Sequence, residues 1–212
     1  MSQKQKELAL LEEEIRKDSK LPLRESNLVF GEGDPAARAL FIGEAPGFHE
    51  DRLGRPFVGR GGQLLDDCIK SIGWRREDVY ITNIVKRRPP ENRDPFPEEI
   101  EAYKPYLTRQ IEIIDPALIV PLGRFAMNYF LPEAKITRDQ GKVFYVDGRK
   151  VVPLLHPAAA LRSTEMMKTL RESFKKLPDI LEGKDIVPLA LATPPSKKQI
   201  AEETAKLQDP LF

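Results

Sequence analysis

The chain predicts an α/β domain built on a mostly parallel sheet. Short apolar runs alternate along it with segments of helical periodicity, the pattern of strands joined by crossover helices. Three of its most distinctive segments lie at or just beyond the ends of those runs, where parallel sheets gather their ligands. The length of 212 residues suits one well-packed domain and is short for two.

The elements follow in order. Leu8, Leu11 and Ile15 recur at helical spacing among charges, which predicts an amphipathic first helix lying on the domain edge, before a turn at Lys20-Leu21-Pro22. Ala39-Leu40-Phe41-Ile42 reads as a buried strand ending in glycine. From Gly62 to Ile72 the apolar residues Leu64, Leu65, Cys68, Ile69 and Ile72 share one side of a helix. Val79-Tyr80-Ile81-Thr82-Asn83-Ile84-Val85 is a second strand. Pro97 suits the first turn of the next helix, and Pro105 is expected to kink or divide it. Ala117-Leu118-Ile119-Val120 gives a third strand, and Phe125 to Phe130 a short helix. Lys142 to Val146 and Lys150 to Leu154 flank Asp147-Gly148, a strong hairpin turn signal. A helix of roughly fifteen residues is expected from Ala158. After Lys176 the pattern weakens, and Thr193-Pro194-Pro195-Ser196 reads as a linker or exposed arm. Residues 1–180 are therefore expected to form one domain, and 181–212 an extension.

Composition narrows the function. Lys plus Arg is 34 against 33 for Asp plus Glu, so the formal net charge is +1, which argues against a polybasic tail but permits a local basic patch. One cysteine excludes an intrachain disulfide framework and a cysteine-rich metal site. No apolar run is long enough to span a membrane, and no signal-type core adjoins the lysine-rich start, so a cytoplasmic location is expected.

Four segments carry chemistry. In Gly43-Glu44-Ala45-Pro46-Gly47-Phe48-His49-Glu50-Asp51, directly after a buried strand, small residues let backbone approach a ligand while Glu44 and Asp51 bring carboxylates to the sheet edge. No Gly-Lys-Ser/Thr ending supports a phosphate loop. Phe57, set among glycines with Arg55 and Arg60 on either side, can form one face of a pocket for a flat ligand, with the arginines free to meet phosphates. Asn83 ends its strand with a donor and an acceptor in one plane; such an edge can tell uracil, with an acceptor at O4 and a donor at N3, from cytosine, which reverses them. A turn-capping role for Asn83 is the structural alternative. Behind it, Lys86, Arg87 and Arg88 open a stiff basic loop suited to phosphate. His156 precedes Pro157 at a helix opening, where the first N–H groups disfavour the imidazolium; a neutral ring there can donate to a developing anionic oxygen.

Taken together, GEGDPAARALFIGEAPG, GRPFVGRGGQLLD, VYITNIVKRRPPENR, PALIVPLG and LLHPAAALR occur in one order that resembles the uracil-DNA glycosylase superfamily, most of all its family 4 enzymes. The resemblance runs from about Leu28 to Leu177. It implies a three-layer α/β/α sandwich around a mostly parallel four-stranded sheet, and release of uracil from DNA to leave an abasic site. Glu44 would act on the attacking water, and His156 would stabilise uracil O2. Phe57 would stack on the base and Asn83 would read its edge. Gly43, Ala45, Gly47 and Phe48 would line the pocket by backbone and close packing. Arg55, Arg60, Lys86, Arg88, Arg162 and Ser163 would contact DNA.

One departure is large. Family 4 enzymes hold a four-iron, four-sulfur cluster on four cysteines, and the matching positions here are Arg87, Tyr103 and two within 16–21, none a cysteine. No cofactor or metal is therefore expected, with Tyr103, Tyr106 and the arginines filling the space. Alternatives are a lesion-binding protein without activity, a glycosylase of altered base preference, and a nucleotide hydrolase, the last lacking any phosphate-loop lysine or dense carboxylate set. The terminal Gln208-Asp209-Pro210-Leu211-Phe212 resembles the pentapeptide with which bacterial repair proteins dock on the sliding clamp, through Gln208, Leu211 and Phe212. Otherwise a monomer acting on uracil-containing DNA, away from membranes, is expected.

Overall fold

A computed structural model describes residues 1–184. The linker at 193–196 and the candidate docking residues Gln208, Leu211 and Phe212 lie outside the described residues.

The chain opens with α1 (Gln3–Lys17), capped reciprocally by Ser2 and Gln5, with Leu8, Leu11 and Ile15 buried as their spacing requires. A short edge strand β1 (Glu32–Gly33) precedes the central β2 (Ala39–Gly43). Two helices follow, α2 (Phe48–Leu53) and α3 (Arg60–Ser71), before β3 (Tyr80–Asn83). Next come α4 (Pro97–Ile114), β4 (Leu118–Pro121), α5 (Arg124–Phe130) and α6 (Ile136–Asp139). The hairpin β5 (Phe144–Val146) and β6 (Arg149–Val151) leads to α7 (Pro157–Ala160), α8 (Thr164–Lys175) and α9 (Leu177–Glu182).

The strands form one sheet in the order β1-β3-β2-β4-β6-β5. Its four inner strands run parallel to one another, as expected, but the sheet is six strands wide rather than four, because β1 and β5 add antiparallel edges. β1 is two residues long, too short for any apolar alternation to announce it. At the hairpin, Asp147 and Gly148 both take positive φ (48° and 78°), the conformation that lets a two-residue turn follow the twist of the strands.

Alternate residues of β2 feed two cores. Leu40 and Ile42 pack with α1, α4 and α5, while Ala39 and Phe41 pack with α3 and the α7–α9 segment. The result is helix, sheet, helix, the three-layer sandwich. Two expectations are corrected. Pro105 does not divide α4, which runs unbroken with the proline on its exposed face while Tyr103, Leu107, Ile111 and Ile114 anchor the other face. The expected long helix from Ala158 is instead α7 and α8, because the Ser163 hydroxyl accepts the Met166 N–H at 3.4 Å and starts a new helix. Among the described residues no helix is long and apolar enough to cross a membrane.

Candidate active site

The carboxyl ends of the parallel strands bring the candidate residues to one edge. β2 and β3 stay paired to their last residues, Gly43 opposite Asn83, and the pairing continues as Ile84 and Val85 donate to the carbonyls of Gly43 and Glu44. On the other side of β2, the chain beyond β4 reaches Gly123, whose N–H donates to Leu154 O at 2.8 Å and ties it beside His156. Asn83, Glu44 and His156 thus come from three different strand ends.

Phe57 and Asn83 converge over Gly43. A Cβ at Gly43 would lie 2.4 Å from Asn83 Oδ1 and 2.5 Å from Phe57 Cζ, so no larger residue fits beneath the two side chains. Asn83 is 2% exposed, and its carboxamide has no hydrogen-bond partner among the described residues. Its polar atoms are not sealed from solvent, so the edge is open to a ligand that meets both its donor and its acceptor. This favours the reading role for Asn83 over turn capping.

Phe57 itself is held against backbone preference. Its φ of 51° lies in the left-handed region, at a cost of about 1–2 kcal/mol for a side-chain-bearing residue. Two groups fix it there. Arg76 donates to Pro56 O at 2.5 Å and to Phe57 O at 3.3 Å, while it is itself paired with Glu32 and Asp66. On the other side, one carboxylate oxygen of Glu50 accepts the N–H groups of Val58 and Gly59, both at 2.9 Å. Neither Arg76 nor Glu50 was a candidate in the sequence, since a lone charge on a polar helix carries no periodic or motif signal. Gly123 was equally hidden: its φ is 87°, and a Cβ there would come within 3.0 Å of His156 Cβ.

His156 caps α7. Its Nδ1 accepts the Ala158 N–H at 3.2 Å, which puts the proton of a neutral ring on Nε2 and leaves that N–H without a partner among the described residues. Burial pulls its pKa down to about 4, the Glu50 charge opposing weakly, so the ring is neutral above that pH. It stacks beside Phe57, with centroids 5.7 Å apart and planes at 30°. Glu44 makes no side-chain hydrogen bond among the described residues. Burial, then the Asp94 charge, raises its carboxyl to about 7 against the pull of Arg124. The strand ends therefore carry a neutral donor, His156, beside the Phe57 ring and a carboxyl, Glu44, poised near neutrality.

The remaining candidates separate. Gly43 and Gly47 bring backbone close, Gly47 because a Cβ would stand 2.9 Å from Glu50 Oε2, and Ala45 is half-buried beside them. Phe48, expected to close the pocket, is instead 51% exposed, its edge against His49 and the Arg88 guanidinium 5.2 Å from its centroid. It belongs to the rim because α2 starts there and turns its first residue outward. Arg88 is half-buried and also donates to Asn92. Arg60 and Arg162 are exposed, whereas Arg55 is paired with Glu32 at 2.7 Å and Ser163 is spent on capping α8. Lys86 is a correction. It is fully buried, donating to Thr82 Oγ1, Asn83 O and Gln110 Oε1, and it reaches no phosphate. The apolar run from Val79 continues through Ile84 and Val85, so the lysine after it is still inside the domain.

Where the resemblance puts an iron–sulfur cluster, the residues present do not fit one. Tyr103 is fully buried and donates to Pro22 O at 2.8 Å; Tyr106 donates to Asp18 at 2.6 Å; Arg87 and Arg24 donate to Ser26 O and Asp18 O. Phenols and guanidiniums occupy the volume, and neither binds iron as a thiolate does. The one cysteine, Cys68, lies on α3 in the opposite core with its thiol pushed up to about 11 by burial. Among the described residues no group of three or more His, Cys, Asp or Glu could hold a metal ion.

Comparison with known proteins agrees with this geometry. The Uracil DNA glycosylase superfamily matches residues 30–178. A type-4 uracil-DNA glycosylase of Saccharolobus solfataricus is 47% identical over 84% of this chain and 88% of its own length. One from Thermotoga maritima is 44% identical over 80% and 92%. A type-5 uracil-DNA glycosylase of Thermus thermophilus is 34% identical over 48% and 52%.

Proposed function

The chain belongs to the uracil DNA glycosylase superfamily, and we propose from that membership that it hydrolyses the N-glycosidic bond of uracil in DNA, leaving an abasic site. The observation that supports the reading most is the buried, unpartnered Asn83 carboxamide converging with Phe57 over Gly43.

The uracil nucleotide leaves the stack to reach the site. Phe57 covers one face of the base, and Asn83 donates to O4 while accepting from N3–H. As the bond from C1′ to N1 breaks, its electron pair moves onto the base, largely toward O2, and positive charge develops on the sugar. The Nε2–H of neutral His156 donates to O2. Glu44, as carboxylate, orients water toward C1′ and takes up its proton as the new C–O bond forms. In this reading the exposed Arg60 and Arg162 and the half-buried Arg88 meet the DNA phosphates, and residues 1–180 act as the catalytic unit.

With one cysteine in the chain, the reaction proceeds without the family's cluster. We further take the protein to be a cytoplasmic monomer whose terminal Gln208, Leu211 and Phe212 dock on the bacterial sliding clamp. Deleting 208–212 is expected to abolish co-elution with purified clamp; undiminished co-elution overturns that assignment.

Asn83→Asp tests the reaction at its reading residue. A carboxylate repels O4 and cannot donate to it, so uracil release is expected to fall about a hundredfold, with the preference for uracil over cytosine reduced. Unchanged discrimination contradicts the role of Asn83.

A further inference from the structure

Lys86 is the one lysine among the largest fully buried side chains, and it lies directly behind the reading residue. Its three ammonium protons meet three acceptors: Thr82 Oγ1 at 2.7 Å, Asn83 O at 2.9 Å and Gln110 Oε1 at 2.6 Å. None is a carboxylate, and no salt bridge to Lys86 is found among the described residues. Burial alone therefore pulls its pKa well below that of an ordinary lysine. With three neutral acceptors and the Phe30 ring centroid 6.0 Å away but no carboxylate, a buried lysine is still a costly way to fill a core, since an apolar side chain of the same length avoids the desolvation. Core filling alone does not explain it.

The geometry of its partners does. Two of the three bonds go to the last two residues of β3, and the third goes to α4 through Gln110, itself tied to Phe30 O at 3.2 Å. Lys86 thus fastens the tip of β3 to the helix layer beneath it. The Asn83 carboxamide in front has little freedom to spare, because its oxygen lies over Gly43, 2.4 Å from where a Cβ there would stand. A small tilt of the Asn83 peptide moves that edge relative to a base stacked on Phe57. We propose that Lys86 is a positioning residue that sets the Asn83 carboxamide for uracil, and through it the choice of uracil over cytosine.

The inference rests on the uracil-releasing reading above and predicts coupling. Lys86→Met keeps the hydrocarbon and removes the ammonium. It is expected to lower kcat/KM for uracil about tenfold or more and to narrow the uracil-to-cytosine ratio. In an Asn83→Ala background the same change is expected to cost less than about threefold, because the group it positions is gone. In a Glu44→Gln background the full loss remains. If Lys86→Met does not fold, Gln110→Leu, which removes the third acceptor while leaving Lys86 on β3, carries the same cycle with a smaller loss. Full activity of Lys86→Met, or an equal loss with and without Asn83, overturns the proposal. A wild-type protein that releases no uracil overturns the functional reading and takes this inference with it; uracil release with uncoupled variants overturns the inference alone.

Discussion

The strand-end site and the Tyr103 region both gather polar groups, but the site leaves them open to solvent while the Tyr103 region spends them on the chain. At the site, the Asn83 carboxamide, the Glu44 carboxyl and the His156 Nε2–H have no partners among the described residues. Around Tyr103 almost every donor is used on the chain itself: Tyr103 on Pro22, Tyr106 on Asp18, Arg24 on Asp18 O and Arg87 on Ser26 O, leaving Arg87 Nε without a partner. Polar groups paired within the chain have no capacity left for a ligand, whereas solvent-open groups without a protein partner keep theirs. In the proposed function the region matching the family's cluster serves stability and the strand ends serve chemistry. Substitutions should sort by this division.

The largest effect is expected in the first region. Tyr103→Ala empties a fully buried aromatic site and removes its hydrogen bond, which should lower unfolding free energy by about 4 kcal/mol while uracil release per folded molecule stays near wild type. Urea denaturation beside single-turnover assays checks both halves. A loss of activity per folded molecule breaks the comparison.

His156→Ala is expected to do the reverse. Losing one oriented donor to a developing oxyanion costs on the order of 3 kcal/mol of transition-state stabilisation, about a hundredfold in turnover. The melting temperature should fall by only a few degrees, about what the lost α7 cap costs. Normal turnover, or a melting temperature that falls in step with activity, contradicts the assignment.

Glu44 sharpens the same contrast through pH. With its carboxyl at about 7 and His156 at about 4, the carboxylate needed for water activation forms only as pH rises through neutrality. Uracil kcat/KM should fall about tenfold between pH 8 and pH 6, and the limb should vanish in Glu44→Gln, whose activity is low throughout. Stability runs the other way. The folded carboxyl holds its proton to about 7 whereas the unfolded one releases it near 4.5, so folding loses stability as pH rises through that window. Glu44→Gln should therefore be more stable than wild type at pH 8, by roughly 2 kcal/mol after allowing for partial exposure, and gain little at pH 4. Equal stability of the two proteins at pH 8 removes burial as the cause.

The sequence made the strand ends legible because strand, glycine and polar residue follow one another in the chain, as in Ile42-Gly43-Glu44 and Thr82-Asn83. The four parallel strands were readable from their apolar runs, and the hairpin from Asp147-Gly148. What it concealed were groups acting across the fold. Arg76 and Glu50 grip the loop around Phe57 from different elements, and Gly123 makes room for His156 from the end of another strand. Lys86 misled for a related reason: a basic run looks exposed in one dimension, while burial depends on which side of the sheet tip each residue falls. β1 was missed because pairing with β3 defines it, and a two-residue strand has no pattern of its own.

The most direct measurement is release of free uracil from a uracil-containing duplex by the purified wild-type protein under single-turnover conditions, with the iron content of the same preparation determined. The account predicts free uracil and an alkali-labile abasic site from protein carrying no iron. An oligonucleotide that is bound but left intact, or release that appears only when iron is present, contradicts it.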